Sequence, residues 1–167
     1  MSAAVGFQCP ECVAEGRKTV REPRTVFGGK VYARPGLVTT TLVGLCVAAY
    51  VVQVAVPSTT GKGEMFGLAV ASGQWWRLIT AGFLHLSLVH ILFNMWGLWV
   101  LGKPLEARLG RVRFGVLYAV SLFAGSTVSY VFANPQGASV GASGAIFGLA
   151  GGMIVMAKRM QWNLSWL

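Results

Sequence analysis

Residues 78–102, LITAGFLHLSLVHILFNMWGLWVLG, contain no Lys, Arg, Asp or Glu, yet they hold His85, His90 and Asn94. An uncharged run of this length suits an α-helix crossing a bilayer core of ~30 Å, at ~1.5 Å of rise per residue. Polar side chains inside such a run must find partners, because an unpaired donor or acceptor in hydrocarbon costs several kcal/mol. The stretch therefore reads as a membrane span with polar side chains built into it.

The flanking sequence repeats the pattern. Residues 35–61 and 114–157 are also free of Lys, Arg, Asp and Glu, with room for one and two further crossings. The spans are expected at residues 36–56, 78–101, 114–133 and 139–157. Overall, 54% of the chain is hydrophobic and 11% charged, with no Asp at all, against ~25% charged in ordinary soluble domains. The fold class is thus an all-α polytopic membrane protein rather than a soluble enzyme. A net charge of +9 does not point to nucleic acid, because the basic residues sit in short blocks at the ends of apolar runs. Arg17, Lys18, Arg21, Arg24, Lys30 and Arg34 precede the first span; Lys103, Arg108, Arg111 and Arg113 follow the second; Lys158 and Arg159 follow the fourth. The positive-inside rule then places the N-terminus of a multi-pass membrane protein in the cytoplasm. No cleavable signal peptide is evident.

Residues 1–34 read as a polar cytoplasmic arm without helical periodicity, residues 35–160 as the membrane domain, and residues 161–167 as the start of a further segment. The first span reads as a plain anchor, with Thr39, Thr40, Thr41 and Gln53 satisfied by backbone or interface. Between spans one and two, residues 64–77 are too short to cross, and Trp75 and Trp76 mark an interfacial belt. Asn134-Pro135-Gln136-Gly137 is a turn cluster. Gly144, Gly148 and Gly152 recur every fourth residue, a bare strip for close helix packing. No partner for it is evident in the sequence, so a packing helix is expected beyond these residues.

His90 and Asn94 are one helical turn apart and share a face; His85 is expected about 140° around the same helix. Counted from the charged ends of their spans, His90 and Ser143 lie at comparable heights. Each has an ordinary alternative. A serine in a Gly-rich membrane helix often bonds its own preceding turn, and a histidine and an asparagine also serve as interhelical glue or a proton path. Gly141-Ala142-Ser143-Gly144 is not the GxSxG elbow of soluble hydrolases, since residue 145 is Ala and no parallel sheet is available.

Taken together, Trp76-Arg77, His85, His90-Ile91-Leu92-Phe93-Asn94-Met95, Gly102, Glu106, Arg108, Gly110, Tyr118 and Gly141-Ala142-Ser143-Gly144-Ala145-Ile146-Phe147-Gly148 resemble the first four spans of the rhomboid family of intramembrane serine proteases. The resemblance covers roughly residues 36–160. It implies a rhomboid-like helical bundle with Ser143 as nucleophile, and with His90, Asn94 and the backbone N–H of Ser143 as oxyanion hole. It gives structural roles to Arg77, His85, Glu106, Arg108, Gly141 and Gly144, although Glu106 and Arg108 also fit a solvated cytoplasmic turn. The implied substrates are transmembrane proteins in the lipid bilayer, with no cofactor in catalysis.

The family's general base is a histidine on a later span, and no His follows Ser143 here. The expectation is a fragment that lacks its base and is inactive by itself. Cys9-Pro10-Glu11-Cys12 has the spacing of half a structural zinc site and is similar to the end of a Cys/His-rich region preceding some bacterial rhomboids; zinc would need ligands upstream. Two other readings stay open: a rhomboid-like pseudoprotease that binds membrane clients, and a transporter or channel fragment using His90 and Asn94 as an ion path.

Overall fold

The computed structural model describes residues 10–19, 24–25, 27–31, 36–134 and 136–160, with the backbone alone for 12, 13 and 17–19. The arm is not without regular structure: α1 spans Pro10–Thr19. Proline suits the first helical position, where no N–H is needed, and Glu11 in the first turn faces the positive helix end. A tight turn follows, in which the Thr25 hydroxyl accepts the Gly29 N–H. Gly29 lies so close to the Leu109 carbonyl that any side chain would collide with it.

Helix α2, Leu37–Ala55, leads into a layered connection: α3 (Ser58–Gly63), β1 (Met65–Phe66), α4 (Gly67–Ala71), α5 (Arg77–Thr80) and a 3₁₀ turn over Ala81–Phe83. Helices α6 (Leu88–Leu109) and α7 (Arg111–Phe132) are joined through Gly110 alone, at φ 80°. β2 (Ala138–Ser139) pairs antiparallel with β1, Met65 opposite Ser139, and α8 (Ser143–Arg159) closes the described chain.

The second crossing differs from its sequence reading. Leu78–Phe83 form short turns instead of opening a long helix, and Leu84 is extended. The break comes at Ser87, whose hydroxyl accepts the His90 N–H and caps α6. At its other end α6 runs eight residues past Leu101, to Leu109. That extension is stable because Glu106 is not solvated: it is 2% exposed and accepts the N–H groups of Val38 and Thr39 at 3.0 and 2.8 Å, and the Thr39 hydroxyl at 2.9 Å. A carboxylate therefore caps the orphan donors of α2, where the helix dipole favours negative charge. The expected fourth span also starts late, since residues 138–139 are strand and helix begins only at Ser143.

The glycine strip does have a partner within the chain. Gly144 meets Gly125, Gly148 meets Ser121 and Gly152 meets Leu117, so α7 and α8 run antiparallel in close contact. Leu98, Leu105, Phe114, Tyr118, Leu122, Ala145, Leu149 and Met156 form the core between α6, α7 and α8. Large apolar side chains such as Leu92, Phe93, Trp96, Val116, Val120 and Phe147 point outward, as lipid-facing residues do. Among the described residues, α2, α6 and α7 are long and apolar enough to cross a membrane. With 17 residues, α8 sits at the short end of the spanning range.

The first span is more than an anchor. Thr40 and Thr41 bond back to Gly36 and Leu37 as expected of self-satisfied hydroxyls, but Thr39 is committed to Glu106. At the opposite end of α2, the buried Gln53 amide pairs with the backbone of His85, accepting its N–H at 3.0 Å and donating to its carbonyl at 3.2 Å.

Candidate functional site

Ser143 is the first residue of α8 and is exposed. The first intrahelical bond here runs from the Ile146 N–H to the Ala142 carbonyl, so the N–H groups of Ser143, Gly144 and Ala145 point out of the helix start unclaimed by its ladder. The approach to Ser143 is held from two sides. The β1–β2 pair fixes Ser139, and the Gly141 N–H donates to the Ala81 carbonyl at 2.9 Å.

Gly141 is at φ 122°, a left-handed conformation that side chains disfavour. The space is restrictive as well: a Cβ there would lie 2.7 Å from His90 Nε2 and 3.9 Å from Ser143 Oγ. The imidazole and the hydroxyl thus flank one point at the mouth of α8, where only glycine leaves room.

His90 sits in the first turn of α6. Its Nδ1 accepts the Leu86 N–H over a long 3.5 Å. An accepting Nδ1 carries no proton, so in the neutral ring the proton is on Nε2, which faces Gly141. One turn on, Asn94 is 6% exposed; its amide nitrogen donates to the His90 carbonyl at 2.9 Å, and its Oδ1 is buried without a partner among the described residues. Gly97 lets Ile146 approach, which brings α6 against α8. A cavity of about 340 Å³ opens beside Ser143 between α7 and α8, with Ser126, Ser129, Ser139 and Met65 among its walls.

His85 is not on the α6 helix as expected. It lies in the irregular loop between the 3₁₀ turn and Ser87, and its ring stands edge-on to that of His90 with centroids 5.1 Å apart. The buried ring nitrogens of His85 make no hydrogen bond of regular geometry among the described residues, although the Phe83 backbone interacts with the ring.

Residues 72–165, more than half of the chain, match the rhomboid domain. The chain belongs to the rhomboid family. Over 91 residues it is 44% identical to YdcA of Bacillus subtilis (strain 168), covering 54% of this chain and 46% of that protein. Rhomboid protease GluP of the same organism is 41% identical over 88 residues, 53% of this chain and 17% of GluP. RHOMBOID-like protein 1 of Arabidopsis thaliana is 47% identical over 87 residues, 52% of this chain and 22% of that protein. The matched stretch therefore spans less than half the length of these curated relatives. With its apolar helices, this rhomboid is an integral, multi-pass membrane protein.

The remaining polar residues of this rhomboid stand apart from Ser143. The buried Arg77 guanidinium donates to the carbonyls of Gly61 and Glu64 and to Gln74 Oε1 at 2.7–2.9 Å, holding the connection between α2 and α6 in shape. Glu106 binds the start of α2, and Arg108 is likewise engaged within the chain. Gly144 serves the α7–α8 contact. Cys9 and the side chain of Cys12 lie outside the described residues; among those described, no three His, Cys, Asp or Glu gather as a metal site would require. Reading the sequence alone missed Ser87, Ala81 and the α7 partner of the glycine strip. The last had a signal: Ser121, Gly125 and Ser129 repeat the small-residue spacing of α8.

Proposed function

We propose that this rhomboid is the nucleophile-bearing part of an intramembrane serine endopeptidase that cuts transmembrane or juxtamembrane segments of membrane proteins. The observation that carries the reading is the convergence of Ser143 Oγ, the open N–H groups at the start of α8 and His90 Nε2 around Gly141. Ser143 Oγ attacks the scissile carbonyl carbon, its proton passing to a base. The carbonyl electrons move onto oxygen, and that oxyanion is received by the Ser143 N–H, His90 Nε2–H and the second N–H of Asn94. Collapse expels the amine with the returned proton and leaves an acyl-serine, which water hydrolyses.

The tautomer implied at His90 favours a donor over a base. The family resemblance assigns the base to a histidine on a later span. The end of α6 with Arg108, the start of α7 with Arg111 and the end of α8 with Lys158 and Arg159 face the cytoplasm, and Ser143 opens toward the opposite leaflet. The Cys9/Cys12 pair takes zinc only with further ligands.

The test is fluorophosphonate labelling of Ser143 in membranes, for the chain alone and co-expressed with a segment bearing the family's later-span histidine. Labelling in the second arm that vanishes with Ser143→Ala is expected. Failure to label there would instead favour a client-binding pseudoprotease.

A further inference from the structure

Far from Ser143, the basic end of the bundle carries a second concavity. A groove of about 570 Å³ runs between the start of α7 and the end of α8. One arginine from each helix, Arg113 and Arg159, opens onto it, while Leu117, Gly152 and Val155 give it apolar walls. Gly152 keeps the floor low, since a Cβ there would stand 3.0 Å from Leu117 Cδ2; Gly28 leaves space for the fork of Arg113, whose Nη1 would be 3.2 Å from a Cβ at that position. Arg108 and Arg111, nearby in sequence, are engaged within the chain. Arg113 and Arg159 are exposed and make no hydrogen bond or ion pair among the described residues.

The occupant must answer two demands at once. Two guanidiniums fit an anion, and phosphate in particular, which they bind as planar two-pronged donors. The wall below them is bare hydrocarbon, with Val155 57% exposed. An apolar helix would satisfy the wall and leave two cations without counter-charge, and free phosphate would leave the wall uncovered. Basic pockets between membrane helices on the positively charged face are suited to anionic lipid head groups. We infer that this groove binds an anionic phospholipid, with its phosphate between Arg113 and Arg159 and an acyl chain along Leu117, Gly152 and Val155.

The 167-residue chain in detergent, titrated with palmitoyl-oleoyl phosphatidylglycerol or phosphatidylcholine and read by native mass spectrometry, tests this. Retention of phosphatidylglycerol about tenfold or more above phosphatidylcholine is expected. Arg113→Gln with Arg159→Gln should bring the ratio close to one, whereas Lys62→Gln, at the opposite end of the bundle, should not change it. Val155→Gln should weaken phosphatidylglycerol binding with both arginines intact, because the acyl chain loses its wall. The assignment is overturned if the double variant keeps its preference or if the two lipids bind equally. Displacement of phosphatidylglycerol by millimolar inorganic phosphate, with Val155→Gln silent, would equally overturn it and leave a simple anion site.

Discussion

His90 Nε2 lies 2.7 Å from the point where a side chain would leave Gly141. A methyl group there pushes the imidazole away from Ser143, and φ 122° adds backbone strain of roughly 1–3 kcal/mol. Gly141→Ala is therefore expected to cut fluorophosphonate labelling of Ser143 in the co-expression assay by at least about tenfold. Unchanged labelling would mean that His90 is not where it acts.

Donor and nucleophile should separate in the same co-expressed membranes when turnover of a transmembrane substrate is measured. Removing one oxyanion donor costs about 3 kcal/mol, or roughly 100-fold. Asn94→Ala and His90→Ala should each fall near that loss, and Ser143→Ala should leave no activity, because no acyl route survives. A His90→Ala variant as dead as Ser143→Ala would return the base role to His90.

Glu106→Ala strands the N–H groups of Val38 and Thr39 and a hydroxyl, all at buried or half-buried positions. Such charge-assisted bonds contribute roughly 1.5–3 kcal/mol each when one partner is lost. The variant should unfold at a clearly lower detergent-denaturant midpoint than the parent, with Glu106→Gln in between, since the amide keeps one accepting oxygen. Equal midpoints for all three would contradict the cap.

The α7–α8 contact makes a paired prediction. A side chain at residue 148 runs into Ser121, so Gly148→Ala should destabilise the bundle, and Ser121→Gly should recover part of the loss. The expected coupling is about 0.5–3 kcal/mol. Additive effects would show that the helices are not in contact at this level.

Orientation is open to a chemical test. With Cys9 and Cys12 replaced by Ser, the remaining Cys46 is fully buried and should stay silent to an impermeant maleimide. Arg111→Cys should then label only from the cytoplasmic side and Gln136→Cys only from outside. The reverse pattern would turn the proposed site toward the cytoplasm.

Membrane residence was legible in residues 78–102 and their neighbours, because hydrocarbon tolerates so few charges that their absence over a long run has one ready explanation. His90 and Asn94 were legible as candidates for the same reason, as polar groups where polarity is costly, whereas Ser143 was singled out by the family resemblance of its Gly-Ala-Ser-Gly setting. Hydropathy could not show that Leu78–Phe83 and Leu88–Leu109 are separate elements. Apolar residues score alike in a turn and in a span, and the break depends on one capping hydroxyl at Ser87. Nor could hydropathy show that Glu106, to which the family resemblance gives a structural role, meets a helix start almost seventy residues earlier. The glycine strip advertised a close neighbour without naming it, since spacing along one helix carries no address on another. What the sequence alone determined is which residues are expensive to place in a bilayer. Only the tertiary structure decided where that expense is met: Glu106 against the start of α2, Gln53 against His85, and Gly141 yielding its side-chain space to His90 beside Ser143.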